Sequence, residues 1–154
     1  MLLLSCGLPP QVYVLGRSGR LLCRWGGGKR MKREMGFGRC GLACGLCTEN
    51  ADCAGCTNGA CPGAQTCENR LCSLEKGLAG CWECAETDCR KGLLQKIKPR
   101  VFCRYIRHSG AEALLDRLAR NEAAGVVYHR SGVAGDYDAF TDEAALLRFI
   151  QNGR

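Results

Sequence analysis

Eleven cysteines lie between Cys40 and Cys89, spaced C-x3-C-x2-C-x5-C-x2-C-x4-C-x5-C-x4-C-x8-C-x2-C-x4-C. Three of the gaps are Cys-x-x-Cys, at Cys44/Cys47, Cys53/Cys56 and Cys81/Cys84. That gap lets two thiolates on one tight turn grip a single tetrahedral ion. The stretch holds one aromatic residue, Trp82, with a few Leu and Ala and many Gly. So few apolar groups do not offset its ordering entropy, roughly 1–2 kcal/mol per residue. Metal binding or disulfides are expected to supply the difference.

The choice between them depends on the compartment. Fourteen cysteines in 154 residues is about 9 %, near the level that marks a disulfide scaffold in a secreted chain. Met1-Leu2-Leu3-Leu4-Ser5-Cys6 superficially resembles a lipoprotein signal, but no basic residue precedes the leucines and the apolar run is short. No stretch is long and apolar enough to span a membrane. The reading is cytoplasmic, where thiols stay reduced and dense cysteines point to metal.

Residues 1–34 differ from the rest, with seven Lys/Arg against one acid, Glu34, and no helical or strand period. They read as a disordered leader. Either this is a basic tail, or the true start is Met31 or Met35, downstream of Gly26-Gly27-Gly28-Lys29-Arg30, which a purine-rich run would encode. Intact mass of the native protein separates the two. The whole chain carries 22 Lys/Arg and 15 Asp/Glu, net +7; without residues 1–34 it carries 15 and 14, net +1. The basic excess belongs to the leader, so nucleic-acid binding is disfavoured.

Zinc, an iron–sulfur cluster and disulfides compete for the thiols. The ferredoxin run C-x2-C-x2-C-x3-C-P is absent, although Cys61-Pro62 mimics its ending. Cys40-x3-Cys44-x2-Cys47 has radical-SAM spacing, but no strand–helix alternation follows to build a barrel. Cys81-Trp82-Glu83-Cys84 lacks the βαβ setting of a redox dithiol, so a ligand pair is favoured.

Cys40-Gly41-Leu42-Ala43-Cys44-Gly45-Leu46-Cys47, Cys53-Ala54-Gly55-Cys56, Cys67-x4-Cys72, Glu75-Lys76-Gly77 and Cys81-x2-Cys84-x4-Cys89 resemble the bacterial and archaeal domain-of-unknown-function family 3795. The resemblance covers Arg39 to Arg107. It implies a zinc-binding protein with no established activity, whose ligands are Cys40, Cys44, Cys47, Cys53, Cys56, Cys67, Cys72, Cys81, Cys84 and Cys89. Thr87-Asp88 stands where that family has Phe-Pro, losing an apolar anchor and a rigid φ beside Cys89. Cys61 and Cys103 fall outside the motif, as additional ligands or free thiols. The order of the cysteines leaves open which four share an ion.

After Cys89 the composition becomes that of an ordinary globular segment. Lys91–Lys98 reads as a short helix interrupted by Pro99, and Val101–His108 as the start of another. Ser109-Gly110-Ala111-Glu112 has the pattern of a capping box, leading into a stripe of Leu114, Leu115 and Leu118 with Gly125 beyond its end. Val126–His129 and Asp136–Phe140 read as a β-hairpin. Thr141 is the expected N-cap of a last helix carrying Leu146, Leu147 and Ile150. His108 and His129 are weaker candidates for a fourth ligand. Asp136 and Asp138 read as polar strand positions rather than acid/base groups.

The expected architecture is a small metal-stabilised Cys-rich irregular domain with short helices (35–107), after the leader (1–34). A mainly α (α+β) segment with a β-hairpin follows (108–154). The expected function is structural Zn2+ binding, with two ions, in an adaptor that meets a protein partner. An iron–sulfur electron carrier holding a [4Fe-4S] cluster is the alternative. Neither catalytic residues nor a membrane segment are expected.

Overall fold

The computed structural model describes residues 13–15, 21–23, 31–47, 53–129, 132 and 134–153. The chain divides into two compact units, Met1–Arg30 and Met31–Arg154. In the first, β1 (Tyr13–Leu15) pairs antiparallel with β2 (Leu21–Cys23), Val14 opposite Leu22. The sequence shows no strand period there. The rest of the leader as far as Arg30 lies outside the described residues.

Residues 31–34 belong to the second unit. The Met31 amide donates to Glu122 Oε2 at 3.1 Å, and Arg33 pairs with Glu112 at 2.7 Å and Asp116 at 2.8 Å. Four helices organise this unit: α1 (Glu68–Glu75), α2 (Ile97–Ser109), α3 (Ala111–Ala123) and α4 (Glu143–Asn152). Helix α2 packs against both α3 and α4. The 107/108 division falls inside α2, which supplies the core with Val101, Phe102, Tyr105 and Ile106.

Leu114, Leu115 and Leu118 on α3, with Leu146 and Ile150 on α4, close that core. Pro99 sits in the first turn of α2, where its missing N–H removes no intrahelical bond. The N–H of Gly125 (φ +86°) bonds Glu122 O and that of Val126 bonds Asn121 O, a Schellman closure of α3.

The C-terminal segment is mainly helical and has no strand among its described residues, so the expected hairpin is corrected. Asp136–Asp138 forms a 3-10 turn instead. Val127 and Asp136 do meet, but the Val127 amide donates to the Asp136 side chain at 2.8 Å rather than to a ladder partner. The Asp136 amide returns to Val127 O at 2.8 Å. One local exchange therefore replaces a sheet, and Tyr137 is turned into the core with its ring 5.9 Å from that of Phe102. Two caps are corrected as well. Ser109 is the last residue of α2, not a cap, and Gly110 (φ +89°) makes the corner into α3. Asp142, not Thr141, caps α4, its carboxylate accepting from the Ala145 amide at 2.7 Å.

Candidate metal centre

The cysteine block is fastened to the helical core at its front edge. Phe37, Ala43 and Leu46 are buried there, and the Ala43 amide donates to the Tyr128 hydroxyl at 2.9 Å. Two of the Cys-x-x-Cys pairs then share one local form. Cys44–Leu46 and Cys81–Glu83 are 3-10 turns, and the amide of the closing cysteine returns to the carbonyl of the first, at 3.1 Å for Cys47 and 3.2 Å for Cys84. The third pair is a tight loop in which Cys53 Sγ accepts from the Gly55 amide at 3.4 Å, with Gly55 at φ +96°.

The sulfurs fall into two neighbourhoods. Cys44 Sγ and Cys56 Cβ both lie within 3.4 Å of where a side chain on Gly38 would begin, so the two meet beside the same glycine. Burial raises the Cys44 thiol, opposed by a hydrogen bond from the Cys56 amide and reinforced by the charges of Cys56, Cys53 and Cys47. Cys40 is buried and pushed up to about 12, chiefly by desolvation, with Cys56, Cys67 and Cys44 as its charged neighbours.

The second neighbourhood is Cys72, Cys81, Cys84 and Cys89. These four line a cavity of about 20 Å³ together with Asn69, Ser73, Lys76 and Leu78. Cys72 comes from α1, Cys81 and Cys84 from the 3-10 turn, and Cys89 from the following loop. Asn69 holds the far wall: its amide donates to Lys91 O at 3.0 Å, and its carbonyl accepts from the Leu93 amide at 2.8 Å. Arg107 on α2 donates to Trp82 O at 2.9 Å and Cys84 O at 2.7 Å, fixing the turn from behind. Lys76 Nζ lies 3.5 Å from Cys84 Sγ. Burial pushes the Cys81 thiol up to about 11, against a hydrogen bond from Asn69 and with the charges of Cys89, Cys72 and Cys84.

The cysteines from Cys40 to Cys103 are unbridged thiols. Among the described residues no three His, Cys, Asp or Glu side chains are gathered closely enough to hold an ion as they stand. The donor chemistry of the second cavity still fits a soft divalent cation. It has four sulfurs and no carboxylate or imidazole in its lining, and room for a single water-sized body.

The remaining candidates lie elsewhere. Cys103 is buried on α2, its thiol donating to Cys40 O at 3.2 Å and packed against Gly41. Cys61 stands in the turn that leads to Ala64. His108 bonds Ser109 Oγ at 3.1 Å and lines a groove between α2 and α4 to which no cysteine contributes. Asp136 is engaged with Val127, and Asp138 pairs with Lys98 at 2.8 Å. Asn69 and Arg107 carry no sequence signal of a role at the site. Neither family models, curated proteins nor solved structures yield a match to this chain. No described helix is long and apolar enough to cross a membrane.

Proposed function

We propose that this chain is a structural zinc protein whose cysteines between Cys40 and Cys89 hold two closed, four-coordinate ions. The observation that supports this most is the orientation of α1. That helix buries Asn69 and Ser73 and turns Leu71 (45 % exposed) and Leu74 (43 % exposed) outward. Apolar burial therefore does not fix it in place. Its inward side instead presents Cys72 to three further cysteines.

Charge supports the same reading. A tetrathiolate zinc site carries a net charge of about −2, and cationic side chains run through the block. Arg39 donates to Leu78 O at 2.6 Å, Arg70 to Ala64 O at 3.3 Å, and Lys76 meets Cys84. Zinc in such sites contributes folding energy and no catalysis, because no coordination position stays open. The setting that suits reduced, metal-binding thiols is the cytoplasm. The folded unit then serves as an adaptor, with Leu71 and Leu74 on α1 as apolar groups available to a protein partner.

Metal analysis with an absorption spectrum, on protein purified without oxygen, tests the proposal. The expected sample is colourless and carries two zinc ions per chain. A brown sample rich in iron and sulfide overturns zinc in favour of a cluster. A metal-free, fully folded sample overturns both.

A further inference from the structure

We propose that Cys72, Cys81, Cys84 and Cys89 form one four-sulfur site for Zn2+, distinct from any ion held by the cysteines between Cys40 and Cys67, with Asn69 and Lys76 as its outer partners. This rests on the preceding reading that the thiols bind metal. It adds the partition that the order of cysteines leaves open.

Four observations converge. The four cysteines share the lining of one cavity, and the cysteines of the amino-terminal neighbourhood are not part of it. At about 20 Å³ the cavity has room for one ion. Asn69, only 2 % exposed, places its amide against Cys81 while clasping the backbone at Lys91 and Leu93, which sets the loop after Cys89. Lys76 contributes a positive charge 3.5 Å from Cys84 Sγ. Such outer contacts orient metal ligands and tune the affinity of the centre.

Arg39 joins the two neighbourhoods: its carbonyl accepts from the Cys81 amide at 2.7 Å, and its guanidinium reaches Leu78 O. Cys44 and Cys47 sit on one turn and Cys81 and Cys84 on another. Ion binding in the second site needs only that four side chains already facing one space draw inward, each losing its proton to the solvent as the cation enters.

The test is zinc stoichiometry by native mass spectrometry of the reduced full chain, with Zn2+ as the only metal supplied. Cys72→Ser and Cys89→Ser are each expected to lose one ion, and the double variant no more than either single. Adding Cys44→Ser to Cys72→Ser is expected to remove a second ion. Loss of two ions in the Cys72→Ser/Cys89→Ser variant overturns the partition, as does full zinc retention by either single. Absence of zinc from the unmodified chain instead overturns the underlying reading. Lys76→Gln keeps all four ligands and covers the case in which the serine variants do not fold. It is expected to weaken retention of one ion against a chelator by about 10-fold, and unchanged retention of every ion overturns the role of Lys76.

Discussion

Tyr128 and Ala43 are 85 positions apart in the chain, and the Tyr128 hydroxyl accepts the Ala43 amide at 2.9 Å. Both residues are buried, and the Tyr128 ring also packs on Phe102 and Tyr137 at 6.2 and 5.8 Å between centroids. One phenol thus ties the aromatic core of the helical part to the residue preceding the first Cys-x-x-Cys turn. Tyr128→Phe keeps the ring and removes the acceptor, leaving a buried amide unsatisfied. The expected loss is about 1–3 kcal/mol of stability, read by thermal or denaturant unfolding. An unchanged midpoint contradicts the assignment.

Glu143 links α4 to α2 through Arg100 at 2.7 Å and Arg104 at 2.6 Å. Burial opposes its ionisation, but the hydrogen bonds and charges of Arg100 and Arg104 outweigh this and hold the carboxyl below its ordinary value. A folded-state value below the unfolded one, near about 4.3, contributes stability above that pH. The contribution is lost as pH falls through the folded value. Glu143→Gln is therefore expected to destabilise at neutral pH and to flatten the acid limb of the stability curve. Parallel acid limbs for the two proteins contradict it.

The two halves of the folded unit should respond very unequally to loss of leucine. Leu114 on α3 is fully buried, whereas Leu71 on α1 is 45 % exposed. Leu114→Ala is expected to cost about 2–5 kcal/mol, and Leu71→Ala to stay within about 0.5 kcal/mol. Denaturant titration of both variants reads the contrast. A large cost at Leu71 would mean that apolar burial holds α1 after all.

The helical part was open to reading because Leu114, Leu115, Leu118, Leu146 and Ile150 repeat at helical spacing, and they are the residues that close the core. The hairpin misreading has a physical origin. Val126 and Tyr128 alternate inward as strand residues do, with 4 % and 9 % exposure, but Asp136 satisfies the Val127 amide with its side chain and no ladder begins. Ser109 resembled a cap because Glu112 follows at the right interval, yet α2 runs through it to Gly110. The grouping of the sulfurs was illegible because spacing describes turns, whereas a shared cavity depends on how α1 is rotated. Asn69 left no trace in the pattern, since one buried polar residue has no periodicity.

Asn69 makes two bonds to the backbone of the loop after Cys89, and Gly92 (φ +50°) packs so close that an added side chain would meet its carbonyl oxygen at 2.6 Å. Asn69→Ala is expected to cost about 2–3 kcal/mol by orphaning both backbone groups. It should also raise amide exchange selectively at Leu93. Exchange at Leu93 equal to that of the unmodified chain argues against the clasp.

The most direct measurement is a residue-resolved amide spectrum of the reduced chain before and after complete removal of bound metal. With the ions withdrawn, residues 53–91 are expected to lose their dispersed signals, while the amides of α2, α3 and α4 keep theirs. Sharp, unshifted resonances throughout 53–91 in the stripped protein would show that this region folds without coordinated cations, against the account given for it.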